Sequence, residues 1–245
     1  MTFLAYSFKE DSIRIAMDTL ATDTNNIPFV NVEKTFYHKR TNSIICGTGG
    51  MDEIAYVVWS ISRNDEIDNR KTLDKAIFRA LTDYQQYLAN PKQSTTVYSF
   101  GFSDKTQAPE FSRWSKSEEN FTFSETTKEI SIGLNQTAAK PFEEEWLSKM
   151  SGVVTPYLSE IEKTNDVFER DAIAFALLAE KFSTNIVVGG ELFVENLTKD
   201  SYQKKQLFTF RTNQKAQRDT TILEFVINDG WLDRFEEIYS TTNKS

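Results

Sequence analysis

Apolar and polar residues alternate from Thr2 to Phe8, and after the polar turn Lys9-Glu10-Asp11-Ser12 the alternation resumes from Ile13 to Thr19. A period of two marks a strand with unlike faces, so the two runs predict a hairpin. Lys34 to Lys39 and Ser43 to Gly47 form a second such pair around the turn Arg40-Thr41-Asn42, ending in Gly47-Thr48-Gly49-Gly50. That glycine cluster ends a strand and opens a helix. From Met51 to Arg63 and from Leu73 to Leu88 the period changes to that of a helix, with Leu73, Ala76, Ile77, Ala80, Leu81, Tyr84, Tyr87 and Leu88 on one face.

Pro91 closes the second helix, and short strand-like runs follow at Thr95 to Phe102, Glu110 to Trp114, Asn120 to Phe123 and Glu129 to Ile132. Helical spacing returns over Phe142 to Ile161 and Val167 to Phe182. Asn185 to Glu195, Gln206 to Arg211 and Thr221 to Ile227 read as strands, and a terminal helix covers Gly230 to Tyr239. Strict βα alternation is missing, so a parallel doubly wound sheet does not fit, and two antiparallel sheets with helices outside them do. The fold class is α+β. No repeat, low-complexity segment or domain boundary interrupts residues 1–245, which read as a single domain.

Composition narrows the function. Of 245 residues, 39% are hydrophobic and 26% charged, ordinary values for a globular chain that buries one large core. The longest apolar runs, Ile54 to Ile61 and Ala172 to Ala179, are far shorter than the roughly 20 residues a membrane span requires. Met1 to Lys9 lacks a basic leader and a cleavage site, which suggests a cytoplasmic protein. The single cysteine, Cys46, forbids an internal disulfide or a multi-cysteine metal site. With one histidine, His38, a histidine-based triad has one candidate base. A net charge of −8 without a basic block makes nucleic acid a poor partner.

The residue with most chemical promise is Thr2. A small residue after Met1 normally permits removal of the methionine, leaving a threonine whose hydroxyl is a nucleophile. Its own α-amine, a group that ordinarily titrates at about 7.7–8.0, would serve as the base. Asp18 ends the second strand, where a hairpin returns it to the start of the first. Lys34 opens the third, and a lysine paired with an aspartate would hold positive charge beside the hydroxyl and lower its pKa. An ordinary Asp18–Lys34 ion pair is the alternative.

These positions resemble the proteasome β-subunit family of N-terminal-nucleophile (Ntn) hydrolases, including the bacterial heat-shock peptidase that works with an ATP-driven unfoldase. Sixteen residues separate Thr2 from Asp18 and sixteen separate Asp18 from Lys34, as in that family, and Asp18-Thr19-Leu20-Ala21-Thr22 is similar to its Asp-Ser/Thr-x-Ala-Thr stretch. The resemblance implies a four-layer α/β/β/α sandwich. It also implies a threonine peptidase in which Thr2 attacks a peptide carbonyl, Asp18 and Lys34 tune it, and the Gly49 N–H meets the oxyanion. Ala21 and Thr22 would bind an extended peptide along a strand edge, with Val32, Gly47 and Met51 near the first specificity pocket. Unfolded protein or peptide would be the substrate, a homo-oligomeric ring the assembly, and a separate ATP-dependent unfoldase a partner. No cofactor or metal is implied, and the chain itself has no Gly-x4-Gly-Lys-Ser/Thr loop.

Beyond the first quarter of the chain the pattern departs from the family. Ile132-Gly133-Leu134-Asn135-Gln136-Thr137 stands where the family has a Gly-Ser-Gly-like turn, and Glu180-Lys181-Phe182-Ser183-Thr184 only approximates its Asp-x-x-Ser-Gly. Glu180 and Ser183 are the corresponding candidates, with a solvated helix end and a loop serine as the alternative. Two further functions stay open: a catalytically inactive scaffold or assembly subunit, and an Ntn amidase acting on a small amide.

Overall fold

The structure is a computed structural model. It describes residues 3–22, 28–87, 95–116, 121–124, 133–134, 152–182, 188–210, 219–228 and 230–242. In chain order the first elements are strands β1 (Leu4–Lys9), β2 (Ser12–Asp18), β3 (Leu20–Thr22), β4 (Pro28–Glu33), β5 (Thr35–His38) and β6 (Ser43–Thr48), then helices α1 (Met51–Ser62) and α2 (Arg70–Tyr87). Strands β7 (Thr96–Phe102), β8 (Pro109–Lys116), β9 (Phe121–Ser124) and β10 (Gly133–Leu134) lead to helix α3 (Val167–Phe182). Strands β11 (Glu191–Thr198), β12 (Tyr202–Thr209) and β13 (Asp219–Thr221) precede helices α4 (Ile222–Asn228) and α5 (Leu232–Thr242). The architecture is thus mixed α and β with antiparallel pairing in its hairpins and meander. None of the described helices is long and apolar enough to cross a membrane.

Two compact units are each assembled from separated stretches of chain, which is why no linker is visible in the sequence. The first takes residues 1–32, 130–196 and 201–219. Its five-stranded sheet has the order β10-β1-β2-β11-β12, and β1 pairs with β2 from Leu4↔Met17 to Lys9↔Ser12. Helix α3 covers one face of this sheet. Ala172, Ile173, Ala176, Leu177 and Ala179 pack in one core with Phe3, Ala5, Ala16, Leu192, Val194, Phe208 and Phe210. Alanines on both sides let helix and sheet approach closely, so that the aromatic rings fill what remains. The helix is anchored at its start: Asp166 accepts a hydrogen bond from the Glu169 N–H and an ion pair from Arg14, whose guanidinium also lies over Phe168. The alternate face of the hairpin is apolar too, and Leu4, Phe8, Ile13, Ile15 and Met17 are all buried.

The second unit takes residues 33–129, 197–200 and 220–245. Its sheet is a meander, β5-β6-β7-β8-β9, with α1 and α2 on one face. Two glycines admit those helices. A side chain on Gly47 would run into Ile54 of α1, and one on Gly101 would sit 2.7 Å from both the Arg70 Nη1 and the Ser43 Oγ. The Arg70 guanidinium is buried there, bonded to the Ser99 carbonyl and the Ser43 hydroxyl and facing Asp74, which in turn accepts from the Ser112 hydroxyl at 2.6 Å. On the other face Ile44, Cys46, Tyr98, Phe100, Phe102 and Phe111 are buried, with Phe100 stacked between Tyr98 and Phe111. Outside the helices, Phe235 of α5 meets Tyr56 of α1 and Tyr84 of α2 edge-on at 5.2 and 6.2 Å.

Several expectations need correction. From Ile222 the expected strand Thr221 to Ile227 is instead a helix: Thr221 and Glu224 form a capping box, and Ile222, Phe225 and Val226 bury one helical stripe. Lys34 lies between two strands instead of opening one, because β4 precedes it. Strand β11 begins at Glu191, after Gly190, and β12 runs Tyr202–Thr209, four residues ahead of the expected start. Helix α2 begins at Arg70, three residues early, where Asn69 and Thr72 cap each other's backbone. Of the expected helix Phe142 to Ile161, residues 142–151 lie outside the described residues. The rest is short helical turns around Pro156, and Glu129 to Ile132 also lies outside.

The glycine contacts are testable. Gly101→Ala should lower unfolding free energy by about 1–3 kcal/mol through overpacking against Arg70, whereas Gly152→Ala, whose added methyl meets nothing within 4 Å, should stay within about 0.5 kcal/mol. Urea denaturation of the two variants checks this.

Candidate functional site

The first unit builds a tight polar joint around Asp18, whose side chain sits at the end of β2 and is 1% exposed. Pairing of β1 with β2 returns Asp18 to the residue that follows Thr2, as the hairpin pattern predicts. Phe3 donates its N–H to Asp18 Oδ1 at 2.9 Å, and the Asp18 N–H reaches the Phe3 carbonyl at 3.4 Å. The other carboxylate oxygen accepts from the Gly189 N–H at 3.2 Å. A buried carboxylate is tolerated where donors replace its water, and two backbone N–H groups do so here.

The joint extends along the chain from Asp18. Thr19 donates its N–H to the Glu191 carbonyl and accepts the Glu191 N–H on Oγ1, both at 2.9 Å; the Leu20 N–H meets the Gly189 carbonyl at 3.2 Å. Val32 then donates to the Thr19 carbonyl at 2.7 Å, which places β4 on the same segment. Ala21 and Thr22 lie on β3, the terminal strand of the three-stranded sheet β13-β4-β3, paired Ala21↔Val30 and Thr22↔Pro28 with an irregular step between them. Ala21 is buried, as is Val32.

Sequence reasoning does not single out Gly189 and Gly190. Their signal is a glycine doublet directly ahead of the alternating run that becomes β11. Of the two residues expected in the same region, Ser183 lies outside the described residues, as does Thr2. Glu180 lies near the end of α3, and its buried Oε1 has no hydrogen-bond partner among the described residues. Burial pushes its carboxyl up to about 7, against the opposing pull of Lys181.

In the second unit, Lys34 is 4% exposed and lies between β4 and β5. The glycine turn after β6 has two distinct members. Gly49 takes φ +104°, a conformation that excludes ordinary side chains. Gly50 caps α1, and its N–H is committed to Thr95 Oγ1 at 3.0 Å, so it is not a free donor for a substrate oxygen. Gly47 lies inside the helix–sheet packing, with its Cα against Ile54, and Met51 is the first residue of α1, partly buried. His38 accompanies the Thr41 hydroxyl at 2.9 Å in the turn after β5, and burial together with Arg40 holds its imidazole below the usual range.

Comparison with known proteins gives a single kind of match. No family model matches the chain, and no curated protein matches it in sequence. Among 359 matching chains of known structure is a Gly-1 mutant of Anbu from Hyphomicrobium sp. strain MC1, with a TM-score of 0.54 over 99% of this chain and 100% of that one. The two share the fold. At 14% identity the likeness carries no residue roles with it.

The buried carboxyl of Glu180 gives a pH signature. Its pKa is raised in the folded state, so the stability it contributes is present below about pH 4.5, the unfolded value, and is lost as pH rises through about 7. Glu180→Gln should therefore gain stability relative to the parent between those limits, on the order of 1 kcal/mol, and keep a constant advantage at higher pH. Thermal unfolding from pH 4.5 to 8 measures the difference.

Proposed function

We propose that this chain is a proteasome-like Ntn hydrolase whose nucleophile is Thr2, acting as an amidohydrolase on peptide bonds. The observation that carries the reading is the bond from the Phe3 N–H to Asp18 Oδ1: the residue next to Thr2 is held against the buried carboxylate that the family resemblance selects. A four-layer sandwich follows from the same reading. Each five-stranded sheet has one face under its helices and a second buried apolar face, Leu4, Ile13, Ile15 and Met17 in one unit and Ile44, Cys46, Tyr98 and Phe100 in the other.

With Met1 removed, the Thr2 α-amine takes the hydroxyl proton as Oγ1 attacks the substrate carbonyl, and the buried Lys34 ammonium favours the alkoxide. The Gly49 N–H stabilises the tetrahedral oxyanion, since the Gly50 N–H is already bound to Thr95. Collapse of the intermediate breaks the C–N bond, the α-ammonium returns its proton to the leaving amine, and water then hydrolyses the ester on Thr2. The substrate peptide adds to β3 as an extended strand, with Ala21 and Thr22 supplying backbone bonds. This favours peptide or unfolded protein over a small amide. Copies assemble as a homo-oligomeric ring, served by a separate ATP-dependent unfoldase.

A second reading is a non-catalytic scaffold of the same fold. It is favoured by the Asp18 carboxylate, which already bonds Phe3 and Gly189 and so has a structural purpose without any substrate.

Intact mass separates the two. The enzyme loses Met1 and gains one covalent adduct from a threonine-directed β-lactone or epoxyketone; Thr2→Ala abolishes the adduct, and Lys34→Ala slows it by about 100-fold or more. Retention of Met1 with no adduct would leave the scaffold.

A further inference from the structure

We propose that Gly190 is a positioning residue: its left-handed turn aims the Gly189 N–H at Asp18, fixing the carboxylate that holds Phe3 and hence the chain start. For the nucleophile itself the proposal rests on the function proposed above; for the placement of Phe3 it stands on contacts alone.

The geometry at Gly190 is closed to any other residue. Its φ is +70°, and an added Cβ would lie 2.4 Å from Asn31 Oδ1 and 2.5 Å from Thr19 Oγ1. Thr19 Oγ1 is held by the Glu191 N–H that it accepts, and Asn31 lies on β4 opposite Leu20 in the β3–β4 pairing. On the other side, the Gly190 carbonyl accepts the Phe210 N–H at 3.0 Å. The turn is therefore tied to residues 18–20 and to Phe210, just past β12, and it cannot shift without breaking bonds to both segments. What it delivers is one N–H. Gly189 meets Asp18 Oδ2 at 3.2 Å, while the other oxygen serves Phe3 at 2.9 Å.

A carboxylate bound through one oxygen pivots, and the second bond removes that freedom. With Oδ2 held by Gly189, Oδ1 has one direction to present to the Phe3 N–H. Because the reacting hydroxyl must meet its substrate within a few tenths of an ångström, loss of this alignment should reduce the chemical step more than binding.

The test joins two readouts on the full-length protein. The first is amide hydrogen exchange at Phe3 and Gly189, followed by NMR. Gly190→Ala should speed exchange at both amides by about tenfold, the equivalent of one lost hydrogen bond to a charged group, while amides in the β7–β8 pair stay unchanged. The second is covalent inactivation by a β-lactone, in which Gly190→Ala should lower kinact and leave KI within about twofold. If Gly190→Ala does not fold, Asp18→Asn substitutes for it in the exchange measurement. Whichever way the amide is turned, its nitrogen faces either the Phe3 or the Gly189 N–H, so at least one of those amides should exchange about tenfold faster. Unchanged exchange in a folded Gly190→Ala, or at both amides of Asp18→Asn, would overturn the positioning role. A parent protein that forms no adduct but shows the exchange effects would sustain the positioning of Phe3 and overturn the nucleophile.

Discussion

A carboxylate that is almost fully buried must be surrounded by donors, and Asp18 meets that demand with the backbone of two distant segments. Its oxygens take the N–H groups of Phe3 and Gly189. Each hydrogen bond to a charged group is worth about 1.5–3 kcal/mol, and an orphaned buried carboxylate would cost more than either bond gives. The β1–β2 hairpin and the turn ahead of β11 are thus coupled, since neither can leave without exposing the charge. Residues 18–20 and 189–191 continue the joint through three further bonds involving Thr19 and Leu20. The same ties that stabilise the first unit bring Phe3, the neighbour of Thr2, to a fixed place beside a charged group.

The second unit solves a related problem with a cation. Arg70 is buried between helix and sheet, and Gly101 gives it room. The Ser99 carbonyl, the Ser43 hydroxyl and Asp74 surround the guanidinium, and Asp74 is steadied by Ser112. Burial lowers the Arg70 pKa, and nearby Asp74, Glu110 and Asp104 oppose that shift, so the group keeps its charge among carboxylates. In the second unit, then, a buried ionic group and a missing side chain occur together, because the Arg70 guanidinium occupies the space that a Cβ on Gly101 would take.

What is legible in the sequence is local. The alternation of Thr2 to Phe8 and Ile13 to Thr19 gives the first hairpin, and the hairpin alone places Asp18 beside Phe3. Helical periods over Met51 to Arg63 and Val167 to Phe182 give α1 and α3 within one residue at each end. Thr221 to Ile227 misleads because its apolar run is short enough to suit either element; the capping pair Thr221 and Glu224 holds the deciding information. Strand β3 has three residues, too few for a period to show. The meeting of Asp18 with Gly189 spans 171 positions, and pattern reading has no access to a contact of that range. Glu180 and Ser183 rest on approximate motif similarity in the same stretch of chain, whereas Gly189, six residues after Ser183, makes the bond to Asp18.

A crystal structure of the protein after removal of Met1 would decide whether Asp18 and Lys34 serve a reactive Thr2, as proposed above. If they do, Thr2 Oγ1 will lie within hydrogen-bonding reach of Lys34 Nζ, with Asp18 still bonded to the Phe3 and Gly189 N–H groups. A Lys34 side chain directed away from Thr2, with the Asp18 bonds intact, would contradict the catalytic account and leave Asp18 as a purely structural anchor.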